Sequence, residues 1–287
     1  MKASNFAYVR ARSISDAVAA FRGCGGEARY LAGGQSLLAA MNLRLLAPDL
    51  LIDISQIDEL RGIERRGDDL RIGALTRHAE VLTSPLVAEH VPLLAAAAPW
   101  VAHPAIRNKG TFGGSIAFAD PASEFPAVAL ALNARIELDN GEQRRLVAAE
   151  DFFRDLYETA AAPVEIVSAV YFPAAGANDR FAFDELARRR GDYAIVGTAI
   201  AARFSSEAVD SIRIALFSVG ATPVLARDAA AVLERTRLGD DDIAAAQRAL
   251  AGELSPSEDA QVSSETRLHL ASVLLKRQLH KLREGAR

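Results

Sequence analysis

One cysteine, one tryptophan and two methionines stand among 287 residues, and no Lys/Arg run is interleaved with aromatic side chains. The single thiol, Cys24, excludes an internal disulfide, a cysteine-rich zinc site and an iron–sulfur cluster held by this chain alone. Any iron–sulfur chemistry therefore has to come from a partner. The formal charge of −4 is small for this length, so nucleic acid is not an expected partner. The longest apolar runs, such as residues 93–98, fall short of the ~20 residues that span a bilayer, and the first twelve residues carry no signal-peptide core. A soluble cytoplasmic protein is the expectation.

What is present is ordinary globular composition, 50% apolar and 24% charged, enough for two or three packed units. Ile14, Ala17, Val18 and Phe21 have helical spacing over 14–22, and the glycines at 23–26 stop that helix. Residues 28–31 and 50–54 read as strands. A helix between them carries Leu37, Leu38, Met41 and Leu45 and ends before Pro48, giving a β-α-β unit. Beyond residue 55 the spacing predicts a strand at 70–75, an alanine-rich helix at 86–98 and a glycine-punctuated loop at 110–114. A helix at 121–132 follows, then strands at 134–138 and 165–172. Residues 173–178 are polar and turn-rich and mark a boundary. Three strands (181–186, 194–204, 211–219) and three helices (227–235, 240–252, 264–283) then suggest a separate α+β unit. The expected division is 1–55, 56–175 and 176–287.

Two short stretches carry the chemistry. In Ala32-Gly33-Gly34-Gln35-Ser36-Leu37, paired glycines sit at a strand-to-helix turn. A phosphate needs several N–H donors converging without a Cβ in the way, and glycine permits positive φ and close backbone approach. Ser36 adds a hydroxyl. The second stretch, Gly110-Thr111-Phe112-Gly113-Gly114-Ser115-Ile116, repeats the pattern with Thr111 as a further hydroxyl. A tight turn explains either stretch alone; two of them, entered from different units, point to a diphosphate gripped from both sides. No G-x-G-x-x-G follows a strand and no G-x-x-x-x-G-K-[ST] occurs, which argues against a Rossmann site and a P-loop. Arg107 and Lys109 precede the second loop, placed either toward a phosphate or in solvent. His78, His90, His103, His269 and His280 show no ligand spacing, and Cys24 has no neighbouring base, so no catalytic or metal-binding residue is expected.

With Ile106–Ala117 (numbers 106–117), Asp120-Pro-Ala-Ser-Glu124-Phe-Pro126 and Arg190-Gly-Asp-Tyr-Ala194 added to the first loop, the sequence resembles a family. It is similar to the FAD-binding (medium) subunit of the xanthine dehydrogenase and carbon monoxide dehydrogenase molybdenum hydroxylases. That resemblance implies an α+β protein: a two-subdomain FAD-binding fold of the p-cresol methylhydroxylase/vanillyl-alcohol oxidase type, plus a C-terminal α+β domain. It implies non-covalent FAD, with the diphosphate held by Ala32, Gly33, Gly34, Gln35, Ser36 and Leu37 and by Thr111, Phe112, Gly113, Gly114 and Ser115. Asp120 and Glu124 would meet ribityl or ribose hydroxyls and amides, since a carboxylate beside a diphosphate is repelled. Asp120 before Pro121 is equally suited to a helix N-cap. Tyr193 would lie near the flavin ring.

Three positions depart from the family. Gln35 stands where covalently flavinylated relatives often have histidine. Glu185 stands where many have lysine. The stretch 160–163 lacks a leucine before Pro163.

The implied partners are a large subunit with a molybdenum–pterin cofactor and a small subunit with iron–sulfur clusters, in a heterotrimer. FAD would pass electrons to NAD, oxygen, a quinone or another carrier, the flavin supplying the hard chemistry. A self-sufficient flavin-dependent reductase or oxidase of the same fold, and a non-catalytic nucleotide-binding module, are the alternative readings.

Overall fold

The computed structural model describes residues 2–259 and 262–285. Strand β1 (Ala7–Arg10), helix α1 (Ile14–Arg22), β2 (Ala28–Leu31), α2 (Leu37–Asn42) and β3 (Leu50–Asp53) build a three-stranded parallel sheet in the order β1-β3-β2. Parallel neighbours need crossovers, which α1 and α2 supply. The Ser13 hydroxyl caps α1 by accepting the Asp16 amide. Ile14, Ala17 and Val18 of α1 pack on Ile52, Ile54, Ile57 and Leu60 in a small core.

The second group contains β4 (Ile63–Arg66), β5 (Asp69–Gly73), α3 (His78–Thr83), α4 (Pro85–His90) and α5 (Pro92–Ala97). It continues with α6 (Pro104–Arg107), α7 (Phe112–Phe118), α8 (Glu124–Ala131), β6 (Arg135–Asp139) and β7 (Arg144–Ala148). After α9 (Ala149–Phe152) and the hairpin β8 (Phe153–Asp155) and β9 (Glu158–Thr159), it ends with β10 (Ile166–Pro173). The main sheet is antiparallel, in the order β4-β5-β10-β6-β7. The third group is an antiparallel sheet of β11 (Asp179–Leu186), β12 (Val196–Ser205), β13 (Ala208–Phe217) and β14 (Val224–Leu225). It is followed by α10 (Arg227–Ala231), α11 (Asp240–Glu253) and α12 (Ser264–Arg283).

Helix α8 joins the last two groups. Its seven residues from Phe125 to Ala131 are all buried, as an all-apolar helix must be. On one side lies the core of the five-stranded sheet; on the other lie Phe183, Ala199, Ala215 and Phe217 of the four-stranded sheet, all in one cluster. The opposite face of the four-stranded sheet is covered by α11 and α12 through Leu250, Leu274, Leu275 and Leu279. Arg213 of β13 fastens the seam by donating to the carbonyls of Leu130 and Ala131 at 2.8 and 3.2 Å and to Glu150 at 2.5 Å.

Two helical expectations need correction. The run 86–98 is two helices, broken at Val91 because Pro92 cannot donate to the preceding turn. The helix expected from 121 begins at Glu124, with Ser123 in the capping position. Asp120 is therefore not its N-cap: its Oδ1 accepts the Ala122 amide at 2.9 Å, closing a turn ahead of the helix.

Candidate functional site

The two glycine loops come from different sheets and touch. A Cβ on Gly33 would stand 2.4 Å from the Lys109 carbonyl oxygen, 3.0 Å from Gly110 Cα and 3.1 Å from the Thr111 nitrogen. Only hydrogen fits there, so glycine at 33 lets the first loop close on the second. Gly34 has φ +72, which brings the chain round into α2. The amides of Gly33, Gly34, Gln35 and Ser36 make no backbone hydrogen bond among the described residues. The Gln35 side-chain amide donates back through Nε2 to the Gly33 carbonyl at 3.0 Å.

The second loop is the first turn of α7, and the sheet beneath fixes it. The Phe112 and Gly113 amides donate to the carbonyls of Thr76 and Ala74, both at 2.8 Å, and Ser115 donates to Thr111 at 3.1 Å. Gly113 lies so close to Ala74 that a Cβ would come within 2.3 Å of its methyl. His78, buried, bonds through Nε2 to the Thr111 carbonyl at 2.9 Å, and its own amide donates to Gly110. A carbonyl partner requires a proton on Nε2, and burial lowers the imidazole pKa to about 4, so the ring is neutral at pH 7. Arg77 donates to the Lys109 carbonyl.

These internal bonds leave Thr111 and Gly114 with amides free of backbone partners among the described residues. The Thr111 hydroxyl adds to them. It occupies the N-cap position of α7 without capping it, lies 2.6 Å from where a Gly114 Cβ would be, and is buried with no partner. An orphaned buried hydroxyl beside free amides is what a site for a bound anion leaves in the protein alone. The donor set thus fits a diphosphate. Phe112 differs: its side chain is wholly buried against Phe125 and Phe172, with centroids at 4.9 and 5.9 Å, so it anchors the loop from below.

At the far end of α7 the chemistry becomes acidic and aromatic. Ala119 takes φ +53 and delivers buried Asp120. Tyr193, on the loop between β11 and β12, sits beside the Asp120 carboxyl, while 69% of Tyr193 remains exposed. A ring so exposed is suited to stacking. Gly191, with φ +88, sets up this loop over the His103 ring, where a Cβ would come within 2.6 Å. Tyr157, at φ +58, packs on Phe118 with centroids 5.1 Å apart, and the Ser218 amide, at φ +61, donates to the Pro121 carbonyl at 2.8 Å. Three non-glycine residues in the left-handed region around one turn is the kind of local strain that gathers at functional sites.

Burial raises the Asp120 pKa against the pull of the Ala122 amide and the Tyr193 hydroxyl. Burial, with Asp120 nearby, pushes Glu124 up to about 7. Glu185 goes up to about 8 through burial and the neighbouring Glu124 and Asp184. Tyr193 is pushed up to about 12, by burial of its hydroxyl end first and the Asp120 charge second.

The structure thus brings Gly33 of the first loop against Lys109, Gly110 and Thr111 of the second, and places Asp120, Glu124 and Tyr193 near one another at the far end of α7. Arg107 is not at the phosphate loop: its guanidinium donates to the carbonyls of Val101 and Ala102 at 2.9 and 2.7 Å. Sequence reasoning missed His78 and Arg77, which hold the second loop by contacts 32 or more residues apart, and Tyr157 on its hairpin tip. No local pattern in the sequence signals them. Among the described residues, no group of three or more His, Cys, Asp or Glu could hold a metal ion, and no helix is long and apolar enough to cross a membrane.

Fold and site together define the class, a flavoprotein in which two glycine loops from different sheets touch. A family model described as the FAD binding domain in molybdopterin dehydrogenase matches residues 4–175, and one for the CO dehydrogenase flavoprotein C-terminal domain matches 181–282. The 6-hydroxypseudooxynicotine dehydrogenase complex subunit alpha of Paenarthrobacter nicotinovorans is 36% identical, over 100% of this chain and 97% of that protein. The carbon monoxide dehydrogenase medium chain of Hydrogenophaga pseudoflava is also 36% identical, over 96% of each. A solved carbon monoxide dehydrogenase structure from H. pseudoflava superposes with a TM-score of 0.95, at 38% identity and 98% coverage of each chain. The chain belongs to the FAD-binding subunit family of the molybdenum-containing hydroxylases, an oxidoreductase family, and FAD is its cofactor.

Proposed function

We propose that this chain carries FAD in a heterotrimer with a large molybdenum–pterin subunit and a small iron–sulfur subunit. It relays electrons from the clusters to an external acceptor: NAD, oxygen, a quinone or another carrier. The protein's own part is to bind and orient the flavin, and the flavin when bound supplies the redox chemistry. The observation that carries the reading is the contact of Gly33 with Lys109–Thr111 (numbers 109–111), which turns two donor loops into one cradle.

In this reading, the free amides from Gly33 to Ser36, the Gly114 amide and the Thr111 hydroxyl meet the diphosphate. Ala32, Leu37 and Gly113 give close approach, Phe112 supports from the core, and Ser115 offers its hydroxyl. Asp120 and Glu124 meet hydroxyls or amides of the cofactor, and Tyr193 lies against the ring. The working division of the chain is 1–55, 56–175 and 176–287, with the cradle between the first two parts and the ring end between the last two. A cytoplasmic location belongs to the same proposal.

Purification from the native source tests it. The chain is expected to be yellow, to release intact FAD on heating, and to co-purify with two further chains containing molybdenum and iron. Flavin that oxidises a substrate unaided, with no companion chains, would overturn the assembly in favour of a self-sufficient flavoenzyme.

A further inference from the structure

Arg77 and His78 run antiparallel to the second loop, and the pairing leaves one edge of that loop open. The His78 amide donates to the Gly110 carbonyl at 3.1 Å and the Phe112 amide to the Thr76 carbonyl at 2.8 Å, which makes Arg77 and Thr111 bridge partners between those bonds. Residues in that position turn their own N–H and C=O away from the partner strand. Thr111, extended at φ −116 and ψ 146, therefore presents its amide and its carbonyl together on the outer edge. That edge meets the first loop. The Thr111 nitrogen stands 3.1 Å, and the Lys109 carbonyl oxygen 2.4 Å, from the place of a Gly33 Cβ.

An edge that mixes amides with carbonyls is a poor place for an anion, because a bare carbonyl oxygen repels it. Here the carbonyls are covered by side chains. The Thr111 carbonyl accepts His78 Nε2 at 2.9 Å and the Ser115 amide at 3.1 Å, which occupies both lone pairs. The Lys109 carbonyl accepts the Arg77 guanidinium. The facing loop repeats the arrangement, with Gln35 Nε2 on the Gly33 carbonyl at 3.0 Å. The Phe125 ring meets the imidazole edge-on, with centroids 5.1 Å apart and planes at 88°, and holds it in this pose. What stays uncovered at Thr111 is an amide with no backbone partner among the described residues and a buried hydroxyl with none either.

We propose that His78 and Arg77 are positioning residues for the FAD diphosphate: they mask the Thr111 and Lys109 carbonyls, so that the outer edge of the second loop offers donors only and the Thr111 amide becomes a diphosphate ligand. The proposal rests on the FAD-subunit reading and adds to it two residues that lie in neither glycine loop. An unmasked carbonyl on this edge can take water while the edge is open and loses that water when a diphosphate closes it, leaving an unpaired acceptor against an anion. Loss of a mask therefore costs the bound state more than the fold.

The full chain titrated with FAD tests this, by flavin fluorescence quenching for affinity and by phosphorus NMR of the bound cofactor for the diphosphate itself. His78→Phe keeps a ring against Phe125 and removes the donor: Kd should rise roughly 5-fold to 150-fold, and the phosphorus lines of bound FAD should move. His78→Gln carries an amide donor at the reach of Nε2 and should restore both the affinity and the lines. A His78→Phe chain that binds as tightly as wild type overturns the proposal. So does an equal loss in both variants with unmoved phosphorus lines, which would leave His78 a packing role only. If His78→Phe fails to fold, Arg77→Met at its half-buried position decides: weaker binding that Arg77→Lys rescues supports the masks, and unchanged binding refutes them. A wild-type chain that binds no FAD at all overturns the flavin reading and the masks with it, a result distinct from variants that bind like wild type.

Discussion

Alanine at position 33 puts one methyl group where the two loops touch. The new carbon would stand 2.4 Å from the Lys109 carbonyl oxygen, with Gly110 Cα at 3.0 Å and the Thr111 nitrogen at 3.1 Å behind it. All three are backbone atoms, so no rotamer change relieves the contact. The Lys109 carbonyl has to withdraw by at least about 0.6 Å, and Arg77, which donates to it, has to follow. Overpacking of this kind costs about 1–3 kcal/mol. FAD binding needs both loops in their closed arrangement, so the cost falls on the bound state: Kd for FAD should rise roughly 5-fold to 150-fold. Flavin fluorescence quenching on titration of the apoprotein measures it. Gly25→Ala is the control, because a Cβ there meets nothing within 4 Å. If Gly33→Ala binds FAD as tightly as Gly25→Ala does, the two loops are not one cradle and the reasoning fails.

Three further outcomes follow from the same geometry. His78 has a pKa lowered to about 4, so its stabilising contribution is complete above the unfolded value near 6.5 and is lost as pH falls toward 4, about 3 kcal/mol at most. Urea unfolding of His78→Gln should show a flatter dependence than wild type across that window, and parallel curves would disprove the buried neutral ring. Tyr193→Ala should weaken FAD binding by about 0.5–1.5 kcal/mol and alter the flavin absorption band, while Tyr193→Phe keeps most of the affinity; equal loss in both would point to the hydroxyl instead. Arg213→Ala leaves the last carbonyls of α8 and one side of Glu150 without their donor, and should lower unfolding stability by about 1–3 kcal/mol. An unchanged denaturation midpoint would show that the seam does not depend on it.

The sequence was most legible where one element made its own pattern. Helices α11 and α12 and strands β10 to β13 carry long apolar periodicities, and structure and expectation agree to within a few residues. The short strands β4 and β7 escaped because they are charged edges, Ile63-Glu-Arg-Arg66 and Arg144-Arg-Leu-Val-Ala148, whose residues look like loop although each pairs in a hairpin with its sequence neighbour. The break at Pro92 was readable in principle, but the helix-forming residues before it and the alanine-rich run after it concealed it.

At the site, the glycines and hydroxyls stood out because phosphate binding demands those residue types in one short stretch. Which amides are free did not: Phe112 and Gly113 spend theirs on Thr76 and Ala74, almost 40 residues away. The isolation of Glu185 is likewise a product of two sheets meeting, since only the fold shows that its carboxyl oxygens are buried without a partner among the described residues.

The most direct test of the split cradle is a crystal structure of the FAD-loaded chain. The account predicts diphosphate oxygens within about 3.2 Å of amides between Gly33 and Ser36, and also of the Gly114 amide and the Thr111 hydroxyl. A diphosphate held by one loop alone, with the Thr111 hydroxyl still without a partner, would contradict it.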